Sequence, residues 1–324
     1  MWGRRRPRRA TALVAALLTV AALAGCTAPP PSPAGLRIVA AFYPYQFVAE
    51  RVLGTLGTVT NLTRPGAEPH DLELTPRQLA AMVTADLVVY QSGFQPAVDT
   101  GVAQADPGRV LDVTSVVPLT EPDEHAGTDP DTDPAGTDRG TNPADDGHDH
   151  GSADPHLWLD PTNLEPVARE VANRLAAAAP EHAATFRDNA DRLTADLAAL
   201  DTAFRTGLTG CARTVFVTSH DAFGYLAERY HLEQVGIAGL DPSAEPSPAR
   251  VAEVHAVVER YGVTTVFFET LASDAVARSL ATDLGLATDV LDPLEGLTEA
   301  SRGGDYLQVM SANLAALRKA NQCH

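Results

Sequence analysis

Three short apolar runs in the C-terminal half end in side chains that can bind a metal. VFVTS precedes His220, VFF precedes Glu269 and DVL precedes Asp292. Open parallel sheets bind ligands outside the carboxyl ends of their strands, so these side chains are expected to converge on one crevice. One imidazole and two carboxylates could coordinate a divalent cation there. For Asp292 the alternative is a turn or helix cap, because a proline follows it.

Two histidines of the N-terminal half have comparable positions. His70 lies in EPHDLE, between a predicted strand and a predicted helix, and His156 lies in DPHLWLDP, also ahead of a helix. Each histidine alone could equally be a surface or capping residue. Together with His220 and Asp292 they indicate a metal site. The other histidines within or at the ends of predicted helices are interpreted as surface residues: His182, His231 and His255.

The elements that must position these residues alternate between apolar runs and helical patterns. In the first half, strands are predicted at 36–42, 58–62, 87–90 and 110–113, and helices at 46–53, 75–85 and 98–104. In the second half, strands are predicted at 214–218, 263–268 and 288–291, and helices at 222–230, 248–261, 275–284 and 306–320. Such alternation indicates two α/β units with mostly parallel sheets.

Helical patterns at 161–178 and 180–208 separate these two units. In the second pattern, large apolar residues recur at helical spacing, which gives one apolar face over roughly 40 Å at 1.5 Å per residue. This helix is predicted to join the two units as a stiff rod. The length of 324 residues is in keeping with two domains.

The composition changes abruptly at residues 120–153. This segment holds ten Asp or Glu residues, with His125, His148 and His150, and almost no large apolar residue. It is predicted to be a disordered loop. Two roles remain open for it, weak metal capture and a solvated acidic spacer.

The N-terminus resembles an export signal with a lipid attachment site. Five arginines precede an apolar run at 10–24, which is too short to span a bilayer. The sequence LAGC ending at Cys26 resembles a bacterial lipobox, so residues 1–25 are predicted to be removed and Cys26 to be lipidated. Residues 26–35 would form a tether. The alternative is an ordinary secretory signal with a chance cysteine.

The net charge of -18 excludes a nucleic-acid partner, because such an acidic chain repels phosphates. A cationic ligand agrees with this charge, although the charge could serve solubility alone. Export would place Cys211 and Cys323 in an oxidising compartment, where they form either a disulfide or two separate buried thiols.

These motifs together resemble the metal-binding lipoproteins of ABC importers for zinc and manganese, the cluster A-I or ZnuA-like family. The resemblance covers essentially the whole mature chain and rests on EPHD, DPHLWLDP, SHDAFGY, EPS, FET and LDPLEG, in this order. It implies two α/β lobes joined by a long rigid helix at 180–208. The N-terminal lobe would comprise 36–119 and 154–179, and the C-terminal lobe 209–324.

The family's ligand positions fall on His70, His156, His220 and Asp292, with Glu269 as an acidic neighbour of the ligands. The resemblance also implies a membrane permease and a cytoplasmic ATPase as partners. The chain would be a monomer held outside the cytoplasmic membrane by its lipid.

Zinc is predicted over manganese, because three imidazoles and one carboxylate suit zinc and because manganese members usually carry Glu at the position of His220. Capture without catalysis is expected. The less favoured alternatives are a manganese-binding member of the family, a zinc-dependent hydrolase and an adhesin-type surface lipoprotein. The sequence has neither HExxH nor GxSxG, which disfavours the hydrolase.

Overall fold

Two parallel four-stranded sheets form the framework of the protein, which confirms the predicted α/β class. The computed structural model describes residues 2–3, 35–119 and 153–324. Cys26, His125, His148 and His150 lie outside these residues, as do nearly all of the predicted signal peptide, tether and acidic loop. Across the described ranges, no helix is long and apolar enough to cross a membrane.

The first sheet has the strand order β2-β1-β3-β4, with every pair parallel. Its strands are β1 (Leu36–Ala40), β2 (Gly57–Asn61), β3 (Leu87–Tyr90) and β4 (Val110–Asp112). Its helices are α1 (Tyr43–Leu53), α2 (Pro76–Thr84) and α3 (Pro96–Val102). Thr75 caps α2: its hydroxyl accepts from the Gln78 amide at 3.3 Å, and the Gln78 side chain accepts from the Thr75 amide at 2.8 Å.

The second sheet repeats this topology with the order β6-β5-β7-β8, again parallel throughout. Its strands are β5 (Val215–Thr218), β6 (Glu233–Gly236), β7 (Thr265–Phe268) and β8 (Ala287–Val290). Two helices lie between the sheets in the sequence: α4 (Leu164–Ala178) and α5 (Ala183–Gly207). The helices of the second half are α6 (Gly224–Tyr230), α7 (Pro248–Tyr261), α8 (Ala275–Leu284) and α9 (Tyr306–Asn321).

The sequence analysis missed β6, the strand at one edge of the second sheet. Its four residues, EQVG, begin with an exposed glutamate and are buried only at the last two positions. The apolar runs that revealed the other strands reflect burial on both faces of a parallel sheet. An edge strand that is partly exposed needs no such run, so its pattern is weak.

Helix α5 contacts helices from both halves, in agreement with the predicted connecting rod. Its 25 residues span roughly 38 Å at 1.5 Å per residue. Helix α5 packs against α1 and α4 of the N-terminal half and against α9 of the C-terminal half. A continuous apolar cluster runs from the first sheet through Phe186 and Phe204 of α5 to Phe216 and Tyr306. Residues 36–324 cluster as one compact unit, so the predicted lobe boundaries stay predictions.

A disulfide between Cys211 and Cys323 closes a loop with a sequence separation of 112 residues. Cys211 follows the end of α5, and Cys323 follows the end of α9. The same region is held by backbone hydrogen bonds, among them one from the Arg213 amide to the Asn321 carbonyl at 3.2 Å. The bond therefore links the C-terminus to the strand region that begins the second sheet.

Replacement of both cysteines by alanine should destabilise the protein without changing its fold. The chain-entropy model gives a loss of about 4 kcal/mol in the free energy of unfolding for a loop of this length. Urea denaturation followed by circular dichroism measures this loss. The reduced parent protein is the control and should unfold at the same urea concentration as the double variant. Equal midpoints for the variant and the oxidised parent would contradict a stabilising disulfide.

Candidate metal centre

Three imidazoles and one carboxylate meet where loops from both sheets converge. The group contains His70, His156, His220 and Glu295, and one potential ligand atom from each lies within 4.8 Å of all the others. Glu295 Oε1 is 3.2 Å from Nε2 of His70 and of His156, and 3.6 Å from Nε2 of His220. Within residues 35–119 and 153–324, no other cluster of these residue types has such geometry.

The parallel topology explains why residues so distant in sequence meet. His70 lies in the loop after β2, His220 lies two residues after β5, and Glu295 lies in the loop after β8. All three loops leave the carboxyl ends of parallel strands. His156 immediately precedes a short 3-10 turn, Leu157–Leu159, that leads toward α4. The two sheets thus present their loops to a common centre.

The second ring nitrogens of two histidines are bound by carboxylates. His156 Nδ1 lies 2.8 Å from Asp154 Oδ1, and His220 Nδ1 lies 2.8 Å from Glu269 Oε1. A carboxylate accepts a hydrogen bond, so Nδ1 carries a proton in both rings, and loss of the proton on Nε2 would present the Nε2 lone pair to the centre. Glu269 therefore adjoins a candidate ligand, the position that the family resemblance implied for it.

Asp154 was missed by the sequence analysis. It stands two residues before His156 in the DPH motif, and its carboxylate also accepts from the His156 amide at 2.9 Å. The signal was present, because an Asp two residues before a backbone amide commonly closes a turn of this kind. The sequence alone does not show that the same oxygen also orients the imidazole.

Asp292 lies outside the group of four, and Glu295 supplies its carboxylate instead. The Asp292 carboxylate accepts from the Leu294 amide at 2.9 Å, from Ser301 Oγ at 2.9 Å and from Thr270 Oγ1 at 3.2 Å. The structure thus differs from the predicted ligand set at this position. The physical reason is local: Leu294 has a φ of 61°, a left-handed conformation that turns the chain and directs Glu295 toward the histidines.

The centre is closed to solvent except at one edge. The side chains of His156 and Glu295 are 0% exposed and that of His220 is 1% exposed, whereas His70 is 15% exposed. Aromatic rings line the N-terminal side: Phe94 lies 4.7 Å from the His70 ring and Trp158 lies 5.2 Å from the His156 ring. Burial of these polar groups is costly unless they are paired or coordinate a cation.

The close approach of imidazoles and carboxylates shifts the pKa values of both kinds of group. Burial by itself would lower the pKa of His220, but the adjacent Glu269 and Glu295 carboxylates outweigh it and raise the pKa to about 10. Burial also opposes protonation of His156, and Asp154 and Glu295 likewise raise its pKa. Glu295 shows the opposite result: burial would raise its pKa, but its hydrogen bonds to His156 and His70 and the nearby His220 imidazole hold the pKa well below its usual range.

A further carboxyl group borders the centre. Glu68 accepts from the His70 amide at 3.2 Å. Burial, together with the nearby charge of Glu295, raises the pKa of Glu68 to about 8. This glutamate is therefore expected to be largely protonated at neutral pH in the metal-free protein, so that it adds little negative charge to the centre.

A divalent cation fits the donor set of this centre. His220 Nε2 and Glu295 Oε2 are buried and have no hydrogen-bond partner among the described residues. Buried polar atoms are normally paired, so atoms without a partner that converge on one point indicate a ligand that satisfies them. Imidazole nitrogens and a carboxylate oxygen are characteristic ligands of transition metals, zinc above all. The fold and the site define a metal-binding protein built on two parallel α/β sheets.

Comparison with known proteins gives the family. The model of the family described as "Zinc-uptake complex component A periplasmic" matches residues 38–320, and the chain belongs to this family. A zinc-binding lipoprotein of Streptococcus pneumoniae, AdcA, is 35% identical over 312 residues, which are 95% of this chain and 60% of that protein. The chain therefore spans about 60% of the length of that relative.

Two further similarities cover nearly whole chains. The high-affinity zinc uptake system protein ZnuA of Bacillus subtilis is 33% identical over 87% of this chain and 86% of its own length. The crystal structure of the Zn(II)-bound ZnuA-like domain of Streptococcus pneumoniae AdcA is 33% identical, with a TM-score of 0.70, over 89% of this chain and 99% of that one. The family match over residues 38–320 spans nearly all of both sheets described above.

In metal-free protein, the His220 imidazole should remain protonated at pH 8. Its raised pKa means that its ion pair with the carboxylates stabilises the fold fully below about pH 6.5, the unperturbed value, and that this contribution is lost as pH rises through about 10. Side-chain nitrogen NMR of the chelator-treated protein measures the titration. Glu269→Gln should lower the pKa of His220, because it removes one of the carboxylates that raise it. A titration midpoint near 6.5 for His220 in the parent would contradict the raised pKa.

Proposed function

We propose that this chain captures Zn2+ outside the cytoplasm and delivers it to an ABC importer, with His70, His156, His220 and Glu295 as the zinc ligands. The observation that carries the proposal is the convergence of these side chains, buried and incompletely hydrogen-bonded, at one point between the two sheets. The family membership and the zinc-binding relatives support the same function.

The donor set favours zinc over manganese. Three imidazole nitrogens and one carboxylate oxygen match the ligands of four-coordinate zinc. Manganese prefers more oxygen ligands and a higher coordination number. The removal of Asp292 from the ligand set does not alter this choice, because Glu295 supplies a carboxylate of the same kind.

The same arrangement favours binding over catalysis. Catalytic zinc sites keep a position open for water or substrate beside three protein ligands, whereas closed sites use four protein ligands. Glu295 completes four protein ligands here. Zinc is therefore best understood as cargo, which the protein holds and releases without a chemical step.

Zinc binding must displace the proton of His220 and allow Glu295 to change partners. The metal replaces the hydrogen bonds that join Glu295 to His70 and His156. Its positive charge then balances the Glu295 carboxylate, as protons on the imidazoles do in the metal-free protein. The affinity should fall as the pH falls, because ligand nitrogens must be deprotonated. Ligands from loops of both sheets also make zinc a link between the two halves.

One equivalent of zinc should bind to the chelator-treated protein, and Glu295→Gln should weaken binding by about tenfold or more, a change of at least about 1.4 kcal/mol. The variant keeps the size of the side chain but loses the charged ligand. Competitive titration against a chromophoric chelator measures the affinity, and metal analysis gives the stoichiometry.

Glu299→Gln provides the matched control, because Glu299 is an exposed glutamate four residues further along the same loop. This variant should bind zinc as the parent does. A parent protein that retains no zinc would exclude the proposed function. Equal affinity of the Glu295→Gln variant and the parent would exclude Glu295 as a ligand.

The transport role includes partners that the chain must meet outside the cytoplasm. We infer a permease with a cytoplasmic ATPase as the recipient of zinc, lipidation at Cys26 as the membrane anchor, and a monomeric state. Cys26 lies outside the described residues, and within this chain the support for the anchor is the LAGC sequence. The lipoprotein nature of the Streptococcus pneumoniae relative supports it.

A strain that lacks this gene should grow poorly in zinc-depleted medium, and the parent gene should restore growth. A gene with His156→Gln should fail, because the variant loses a buried ligand. His255→Gln is the control, since this histidine lies on α7, outside the group of four. Growth and cell-associated zinc are the measurements. Restoration by His156→Gln equal to that by the parent would contradict transport through this site.

A further inference from the structure

The turn that carries Glu295 toward the histidines has an unfavourable backbone conformation. Leu294 has a φ of 61° and is 0% exposed. A left-handed conformation is sterically disfavoured for a residue with a Cβ atom. It persists only where the surroundings impose it. The residues that hold this turn therefore decide where the Glu295 carboxylate lies.

The Asp292 carboxylate makes the contacts that hold this turn. Its Oδ1 accepts from the Leu294 amide at 2.9 Å, which closes a turn over Pro293 and fixes the amide of the left-handed residue. Its Oδ2 accepts from the hydroxyls of Ser301 at 2.9 Å and Thr270 at 3.2 Å. Asp292 is only 2% exposed. Both carboxylate oxygens are thus committed to the protein.

The backbone just before Leu294 is also fixed. Asn313 of α9 accepts from the Asp292 amide at 2.9 Å and donates to the Asp292 carbonyl at 2.7 Å. The Trp158 indole donates to the Pro293 carbonyl at 2.7 Å. Trp158 lies two residues after His156, so the turn is hydrogen-bonded to the segment that carries another proposed ligand.

We propose that Asp292 is a positioning residue: it closes the left-handed turn at Leu294 and thereby aims the Glu295 carboxylate at the three imidazoles. This inference rests on the proposed zinc ligands. The two acidic residues of the LDPLEG motif then have different roles: Glu295 binds the ion, and Asp292 acts only through Glu295.

The competing interpretations predict different behaviour for two substitutions of Asp292. If Asp292 itself binds zinc, the loss of its charge in Asp292→Asn should weaken binding as much as Asp292→Ala does. If Asp292 positions Glu295, the amide oxygen of Asn can still accept from the Leu294 amide, and the Ser301 and Thr270 hydroxyls can accept from its NH2 group. Asp292→Asn should then bind zinc nearly as the parent does.

The test is a double-mutant cycle on the full chain, with zinc affinity measured by competitive titration. Asp292→Ala should weaken zinc binding by about 10–100-fold, the usual effect of removing a residue that orients a ligand. In the Glu295→Gln background the same substitution should have no further effect, because Asp292 acts through Glu295. A further loss there would overturn the proposal, as would an Asp292→Asn variant as weak as Asp292→Ala.

A second measurement needs no zinc and separates this inference from the proposed function. In metal-free protein, Asp292→Ala should shift the side-chain NMR signals of His70 and His156 in the same direction as Glu295→Gln, while Asp292→Asn should leave them unchanged. A purely structural role would lower the melting temperature of Asp292→Ala but leave these signals and the zinc affinity at parental values, and this result would overturn the inference.

The removal of two hydroxyl groups keeps the test decisive if Asp292→Ala does not fold. The double variant Thr270→Val/Ser301→Ala retains Asp292 but releases its Oδ2. It should weaken zinc binding only when Glu295 is present. Parental affinity in this variant, in the absence of a foldable Asp292→Ala protein, would count against the proposal.

Discussion

The structure depends on the compensation of one buried negative charge. Glu295 is fully inaccessible to water, and three imidazoles surround one of its oxygens. A carboxylate in such a place is strongly destabilised unless positive charge or hydrogen-bond donors balance it. Protons on the histidines can supply this balance, and so can a divalent cation. The centre is therefore suited to exchange one for the other.

The rest of the fold keeps these groups together. Parallel strands direct their following loops to one edge of each sheet, and an apolar cluster continuous across α5 joins the two halves. Asp154 and Glu269 then fix the orientation of two imidazoles. The sheets thus bring the loops together, and the two carboxylates orient individual imidazole rings.

The sequence predicted those features that leave a periodic or local pattern. Buried strands were recognised as apolar runs and helices by their helical patterns, whereas the partly exposed β6 lacked such a run. The three histidines were found because each stands between elements. The carboxylate was assigned to Asp292 because Asp292 directly follows a strand. The position of the Glu295 side chain depends on the left-handed conformation of Leu294, which no sequence pattern predicts.

The unequal exposure of the four side chains has a kinetic meaning. His156, His220 and Glu295 are sealed inside, and His70 alone of the four has appreciable contact with solvent. An ion that enters or leaves while the halves stay packed must pass beside His70. The loop that follows β2 therefore forms the solvent-facing edge of the centre.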